Sequence, residues 1–171
     1  MQVLIKPLRK EKLLIAKCSI CETQFKFPYD KEPFISHAPC VCSIPCFIEL
    51  VTRPKPYTYT DIYAISERVN PKSKRIEYVD FKSYLELRFF KEMSKLNIGL
   101  IHYEPFAFRV FDKRLYIPDF MIEPHNVFFE TKGLWEGSAK RKFNTFVKMY
   151  VFDIYIIDAK FITFLSMEGV W

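Results

Sequence analysis

A chain of 171 residues, half of them hydrophobic and 18% aromatic, can bury one packed domain, or a domain with a small metal-stabilised appendage, and is not a disordered tail. With 26 lysines and arginines against 20 aspartates and glutamates, its net charge of +6 favours an anionic partner, nucleic acid first among them. The longest uncharged stretches, such as Ala38 to Ile48, fall far short of the ~20 apolar residues of a membrane span, and Met1-Gln-Val-Leu-Ile-Lys-Pro lacks the apolar core of a secretory signal. The expectation is an intracellular, cytoplasmic protein without a membrane partner.

All five cysteines (Cys18, Cys21, Cys40, Cys42 and Cys46) fall in the first third of the chain. Lys12 to Lys17 and Thr23 to Pro28 read as short strands on either side of Cys18-Ser-Ile-Cys21. Ser43-Ile-Pro-Cys-Phe-Ile-Glu-Leu reads as the start of a helix with Ser43 as its N-cap. Disulfides need an oxidising compartment, and nothing signals export, so metal binding is the better reading of the cluster. Cys18-x2-Cys21 followed after twenty residues by Cys42-x3-Cys46 gives four thiolates suited to tetrahedral Zn²⁺. Cys40 could replace Cys42, and His37 is near enough to substitute. The spacing resembles small zinc-ribbon or treble-clef modules, which implies a structural zinc and a module too small for its own core. Lys6, Arg9, Lys10, Lys12 and Lys17 give it positive charge.

Arg53-Pro-Lys-Pro-Tyr57 is a stiff connector and divides the chain into a zinc module and linker at residues 1–56 and a larger domain at 57–171. In the larger domain Tyr57 to Ile65 and Arg75 to Val79 read as strands around a turn at Asn70 to Ser73. A helix follows from about Asp80 to Asn97, with Phe81, Leu85, Phe89, Met93 and Leu96 recurring at three- and four-residue spacing and Asn97-Ile-Gly99 as its stop. Three strands are expected next, Leu100 to Val110, Leu115 to Glu123 and Val127 to Lys132, with turns at Asp112-Lys113 and Pro124 to Asn126. Ser138 to Tyr150 has one apolar face and reads as a helix, and Val151 to Ile157 reads as a buried strand ending at Asp158-Ala-Lys160. This order predicts an α/β fold, a mixed sheet flanked by helices. His102 is read as a strand residue and His125 as a turn residue.

Tyr116-Ile-Pro-Asp-Phe120 and Phe129-Glu-Thr-Lys-Gly133 carry the chemistry. Alternation along a strand puts Glu130 and Lys132 on one face, and a tight hairpin at Pro124 to Asn126 brings Asp119 across from or diagonal to them. Two carboxylates beside a lysine are oxygen ligands for Mg²⁺ or Mn²⁺ and suit the activation of water against a phosphodiester. The pattern is the PD-(D/E)xK nuclease signature. A further acid is expected from the preceding helix, where Glu86 and Glu92 both fall in the apolar arc and the wheel does not separate them. Lys140, Arg141 and Lys142 fall in the first turn of the next helix, where bound phosphate would offset the macrodipole. Gly133 and Gly137 are read as permitting a tight turn and close approach of a phosphate, and Trp135 as a packing residue outside the site.

Tyr116-Ile-Pro-Asp-Phe, Glu130-Thr-Lys-Gly-Leu-Trp-Glu136, the basic Lys140-Arg-Lys142 and Ser83-Tyr-Leu-Glu86 together resemble the phage endonuclease I family of Holliday-junction resolvases, over about residues 81 to 158. The resemblance implies a PD-(D/E)xK restriction-endonuclease-like core in a DNA-recombination nuclease acting on branched DNA in a phage or its bacterial host. It selects Glu86 as the helix acid, with Asp119 and Glu130 as metal ligands, the Thr131 carbonyl as a further ligand, and Lys132 orienting the attacking water. It also implies an intertwined homodimer with composite sites, from which the N-terminal extension and the segment from Tyr57 to Val79 depart. The same core used at transposon ends or specific sequences, and a non-catalytic zinc-containing nucleic-acid-binding protein, are the alternative functions.

Overall fold

The computed structural model of the chain describes residues 13–28, 39–57, 80–111 and 113–167, together with Ile62, Ile65, Arg68 and Val69. Strands β1 (Leu13–Lys17) and β2 (Gln24–Pro28) form an antiparallel hairpin, Ala16 opposite Phe25 and Lys17 opposite Gln24, with the Cys18–Cys21 turn between them. Helix α1 (Ile44–Thr52) starts where the sequence requires: the Ser43 hydroxyl accepts the Cys46 amide at 3.4 Å and proline occupies the first turn. The two-residue strand β3 (Arg68–Val69) follows. Helix α2 (Tyr84–Leu96) begins four residues later than Asp80, because Ser83 is its N-cap, and ends at Asn97 in the left-handed conformation.

Beyond α2 the expected long strands are each broken in two. Leu100 to Val110 divides into β4 (Leu100–Tyr103) and β5 (Phe106–Arg109), and Leu115 to Glu123 into β6 (Leu115–Tyr116) and β7 (Phe120–Glu123). The breaks face each other. Pro105 and Pro118 have no amide hydrogen for the ladder, and Glu104 takes a left-handed φ of 46°. The Glu104 amide donates to the Asp119 carbonyl at 2.7 Å and ties the two bends together. β5 and β6 turn away into a three-stranded sheet with β3, while β4 and β7 continue into a four-stranded one.

That larger sheet runs β4-β7-β8-β9, with β8 (Val127–Thr131) antiparallel to β7 and parallel to β9 (Ile154–Ile157). Helix α3 (Gly137–Met149) supplies the crossover that a parallel pair needs, and helix α4 (Ala159–Ser166) follows β9. Every residue of β8 is buried, so both faces of the sheet are covered. On one face Phe120, Val127, Phe129 and Ile157 pack with Phe47 of α1, Phe89 and Met93 of α2 and Phe161 and Phe164 of α4. On the other, Met121, Phe128, Ile154 and Ile156 pack with Phe143 and Phe146 of α3, Phe108 of β5 and Ile62. Ring contacts at 5 to 6 Å recur throughout: Phe89 to Phe129 at 5.2 Å, Phe47 to Phe161 at 5.2 Å and Phe108 to Phe146 at 5.1 Å. Each such ring contributes about 1.5 to 3 kcal/mol through burial. The architecture is the expected mixed sheet flanked by helices, with a cysteine cluster near the N-terminus.

Four expectations are corrected. Ile62 and Ile65, within the expected strand Tyr57 to Ile65, are helical, and Ile62 is buried in the core beside Phe108. Val151 to Asp153 precede β9 rather than belonging to it, and Val151 is 88% exposed. Asp158 does not end a strand but caps α4, its carboxylate accepting the Phe161 amide at 2.8 Å. Neither Gly133 nor Gly137 has a positive φ, so the turn there does not require glycine, although a side-chain carbon at either would meet only open space. The strand expected at Arg75 to Val79 and the turn at Asn70 to Ser73 lie outside the described residues. Among the described residues no helix is long and apolar enough to cross a membrane.

Gly99 is the glycine that the fold demands. Its φ is +145°, and a β-carbon there would lie 2.2 Å from the Glu123 carbonyl oxygen, where β4 begins its pairing with β7. Gly99→Ala should lower the unfolding free energy by roughly 2 kcal/mol or more in urea titration. An unchanged midpoint would show that the start of β4 is not fixed in this way.

Candidate functional site

Glu130 is the fourth residue of β8 and Lys132 follows the strand's end, so both leave the same face, and the Lys132 ammonium lies 2.7 Å from Glu130 Oε1. Tyr116, at the end of β6, donates its hydroxyl to Glu130 Oε2 at 2.6 Å. Continuing the Phe120–Phe129 register by one residue sets Asp119 opposite Glu130. Asp119 Oδ2 accepts the Thr131 amide at 2.7 Å and the Thr131 hydroxyl at 2.8 Å. The hairpin therefore brings together Asp119, Glu130 and Lys132 as the sequence spacing predicts, with Thr131 beside them.

Burial, reinforced by the Glu130 charge, pushes the Asp119 carboxyl up to about 7, against the pull of Lys132 and the Thr131 hydrogen bonds. Burial also raises Glu130, opposed by Lys132 and Tyr116. For Lys132, burial works against the charge, but Glu130, Asp119 and Glu86 outweigh it and hold the ammonium above its ordinary pKa. The group is one cation set among buried acids.

Glu86 lies in the first turn of α2 and is 7% exposed. Its Oε2 accepts the Tyr103 hydroxyl at 2.6 Å and the Lys82 amide at 2.9 Å, while Oε1 accepts the Ser83 hydroxyl at 2.9 Å. Ser83-x-x-Glu86 is thus a variant of the capping box, and the same carboxylate acts electrostatically on Lys132. Glu92, which shares the arc on the wheel, pairs instead with Lys95 at 2.7 Å on the helix exterior.

Five neighbours complete this group, and Tyr103, Glu104 and Lys82 among them lie outside the sequence motifs. Tyr103 and Tyr116 each cap one carboxylate. Glu104, buried at the bend, forms an ion pair with the largely exposed ammonium of Lys82, whose charge is held mainly by Glu104 and further by Glu86 and Asp119. Trp135 was expected to pack outside the site. Its ring packs edge-on against Phe143 at 5.3 Å, and it also lies 5.6 Å from the Lys132 ammonium. The residue before Pro105 was the available signal for Glu104, and Tyr116 and Trp135 lie inside the sequence motifs, whereas Tyr103 and Lys82 are recognisable only in three dimensions.

Lys140, Arg141 and Lys142 lie near the N-terminus of α3, with the Arg141 guanidinium 4.2 Å over the Phe111 ring. His102 faces Glu123 across β4 and β7 at 2.7 Å, and His125 occupies the turn after β7.

The sulfurs of Cys18, Cys21, Cys42 and Cys46 all lie within 4.8 Å of one another, with Cys21 to Cys42 at 3.4 Å and Cys42 to Cys46 at 3.9 Å. A sulfur tetrahedron around zinc with bonds of ~2.3 Å has edges of about 3.8 Å, so four cysteines this close could bind a zinc ion. Cys40 does not join them: its thiol donates to the Lys17 carbonyl at 3.1 Å. His37 lies outside the described residues. The Thr23 hydroxyl pulls the Cys21 thiol down to about 6, while burial and the surrounding thiols push Cys42 up to about 12. Cys46 sits in the first turn of α1, where the Ser43 hydroxyl favours its thiolate but burial and the Cys21 and Cys18 thiols outweigh it and hold the thiol above its ordinary pKa. Among the described residues no second group of ligand side chains is gathered in this way. Glu86, Asp119 and Glu130 each accept hydrogen bonds from neighbours of their own.

No protein-family model and no curated protein matches this chain.

Metal analysis of purified protein should find about one zinc per chain. Cys40→Ser should retain it and Cys42→Ser lose it; equal retention would remove the four-cysteine assignment. The acids give a pH prediction. Asp119 titrates at about 7 when folded and near 3.8 when unfolded, so the unfolded state releases its proton first as pH rises. In protein kept in Mg²⁺- and Mn²⁺-free buffer with its zinc retained, the stability contribution of this group is therefore complete below pH ~4 and lost between about 4 and 7. Asp119→Asn should flatten the fall in melting temperature across that window relative to the unaltered protein, and an unchanged slope would contradict the placement of Asp119.

Proposed function

We propose that this protein is a divalent-metal-dependent endodeoxyribonuclease of the PD-(D/E)xK type that hydrolyses phosphodiester bonds in branched DNA, as a Holliday-junction resolvase does. The observation that carries the reading is the buried set at the end of two adjacent strands, Asp119 and Glu130 with Lys132 paired to Glu130 at 2.7 Å, and Glu86 acting on the same lysine. Its donors are hard carboxylate oxygens in a shielded place, which fit Mg²⁺ or Mn²⁺ and not a soft metal.

When bound, such an ion supplies Lewis-acid polarisation of a phosphate oxygen and lowers the pKa of water. Asp119 and Glu130 would hold it, Glu86 would complete the acidic set, and the Thr131 carbonyl would offer a further oxygen. Thr131 orients Asp119 through its amide and hydroxyl, and Tyr116 orients Glu130. Lys132 orients the water and stabilises charge on the phosphate, with the Trp135 ring limiting where its ammonium can lie. The water oxygen bonds to phosphorus, the bond from phosphorus to a sugar oxygen breaks, and that oxygen leaves with a proton. Lys140, Arg141 and Lys142 position the backbone. Zinc on the four cysteines is structural. A homodimer in the cytoplasm of a phage-infected or bacterial cell would place two sites for paired nicks across a junction.

One observation favours a second reading, a non-catalytic zinc-containing nucleic-acid-binding protein: each acid already has a protein hydrogen-bond partner. Cleavage of a four-way junction and a matched linear duplex in Mg²⁺ separates the readings. Asp119→Ala and Lys132→Ala should each reduce junction cutting by roughly a thousandfold while junction binding persists. Retained cutting would remove this active site. Equal cutting of both substrates would favour a transposon-end or site-specific enzyme, and binding without cutting the second reading.

A further inference from the structure

Helix α3 buries Phe143 and Phe146 against Tyr116, with ring distances of 6.2 and 4.8 Å, and turns its other side outward. There Lys140, Arg141, Asn144, Thr145 and Lys148 line a shallow groove of about 360 Å³ with no acidic residue in its lining. The row advances by one turn at a time, and from Lys140 to Lys148 it covers about 12 Å of helix. One strand of duplex DNA carries a charge every ~3.4 Å of axis, a spacing short enough for the row to meet more than one phosphate.

The turn between β5 and β6 belongs to the same surface. Arg114 and Arg141 share one aromatic ring, their guanidinium carbons 5.5 and 4.2 Å from the centre of Phe111. The shared ring gives a turn arginine and a helix arginine, two charges that would otherwise repel, a common partner. The surface is also joined to the acidic set, because Trp135 touches both Lys132 and Phe143.

We infer that Arg114, Arg141 and Lys148, with Lys140 and Asn144 between them, form a track for the sugar-phosphate backbone of a duplex DNA arm leading away from the point of cleavage. The inference rests on the nuclease reading and adds to it two cations, Arg114 and Lys148, from a separate turn and from the far end of the helix. Lysine and arginine on phosphates fix position without reading bases, so the track is indifferent to sequence.

Fluorescence anisotropy of the full chain on labelled duplex DNA, across roughly 50 to 200 mM salt, tests this. Arg114→Ala and Lys148→Ala should each reduce the slope of log affinity against log salt by about 0.9, equally on unrelated sequences, and the double variant by about twice that. Lys95→Ala, which removes a charge paired with Glu92 on α2, should change nothing, and all variants should keep the parent melting temperature. Arg114→Lys should keep most of the slope; a loss as large as in Arg114→Ala would make Arg114 a packing residue and remove it from the track. Parent slope and affinity in both alanine variants, with cutting intact, would overturn the inference and leave the nuclease reading standing. Failure of the unaltered protein to bind any DNA would overturn both.

Discussion

Holding charged groups inside a sheet is costly, since an ion moved from water into an apolar interior loses several kcal/mol of solvation unless its new neighbours replace what water gave. Asp119 and Glu130 meet that demand with three different partners. Thr131 offers an amide and a hydroxyl, Tyr116 a hydroxyl, and Lys132 a full positive charge. Each depends on a larger element being in place. Thr131 is fixed by the ladder of β8 against β9, and Tyr116 by the stacking of α3 on β6. Asp119 itself is available because Pro118 interrupts the strand before it. The bend at Glu104 and Asp119 is therefore a condition of the site as well as an irregularity of the sheet.

Much of this was legible in the sequence, for physical reasons that differ from place to place. Helix α1 announces its start through Ser43, whose hydroxyl satisfies an orphan amide wherever the rest of the chain goes, whereas the expected start of α2 at Asp80 passed over the equivalent cap at Ser83. Asp119, Glu130 and Lys132 could be brought together from the two-residue period of a strand and the turn at Pro124 to Asn126. The four zinc-compatible cysteines followed from spacing, but separating them from Cys40 needed the Lys17 carbonyl, which no pattern reveals. Helix α4 escaped notice because its eight residues are rich in phenylalanine, isoleucine and threonine, which also suit strands; Asp158 as a cap was the one signal. Trp135, Glu104 and Lys82 matter through contacts that exist only once the bend and the loop after β8 are formed. A helical wheel could not separate Glu86 from Glu92 because both lie in one arc; the tyrosine opposite one of them decides.

The two faces of the four-stranded sheet have different tasks. The face covered by α3 leads outward to cations and to the loop that carries Trp135. The face covered by α1, α2 and α4 ties the cysteine cluster to the strands, since Cys18, Val41 and Phe47 belong to the same core as Phe120 and Phe129. Phe129 precedes Glu130 on β8, so the sulfur cluster and the acids are supported by opposite sides of one strand.

Phe47 makes its nearer ring contact with Phe161, more than a hundred residues further along the chain. During synthesis the cysteines leave the ribosome early and have all their ligands within a short span, whereas the surface that α1 covers is finished last. The emerging polypeptide would thus carry a metal-clasped knuckle with the greasy side of α1 uncovered until the final helix arrives, an interval in which chaperone capture competes with docking.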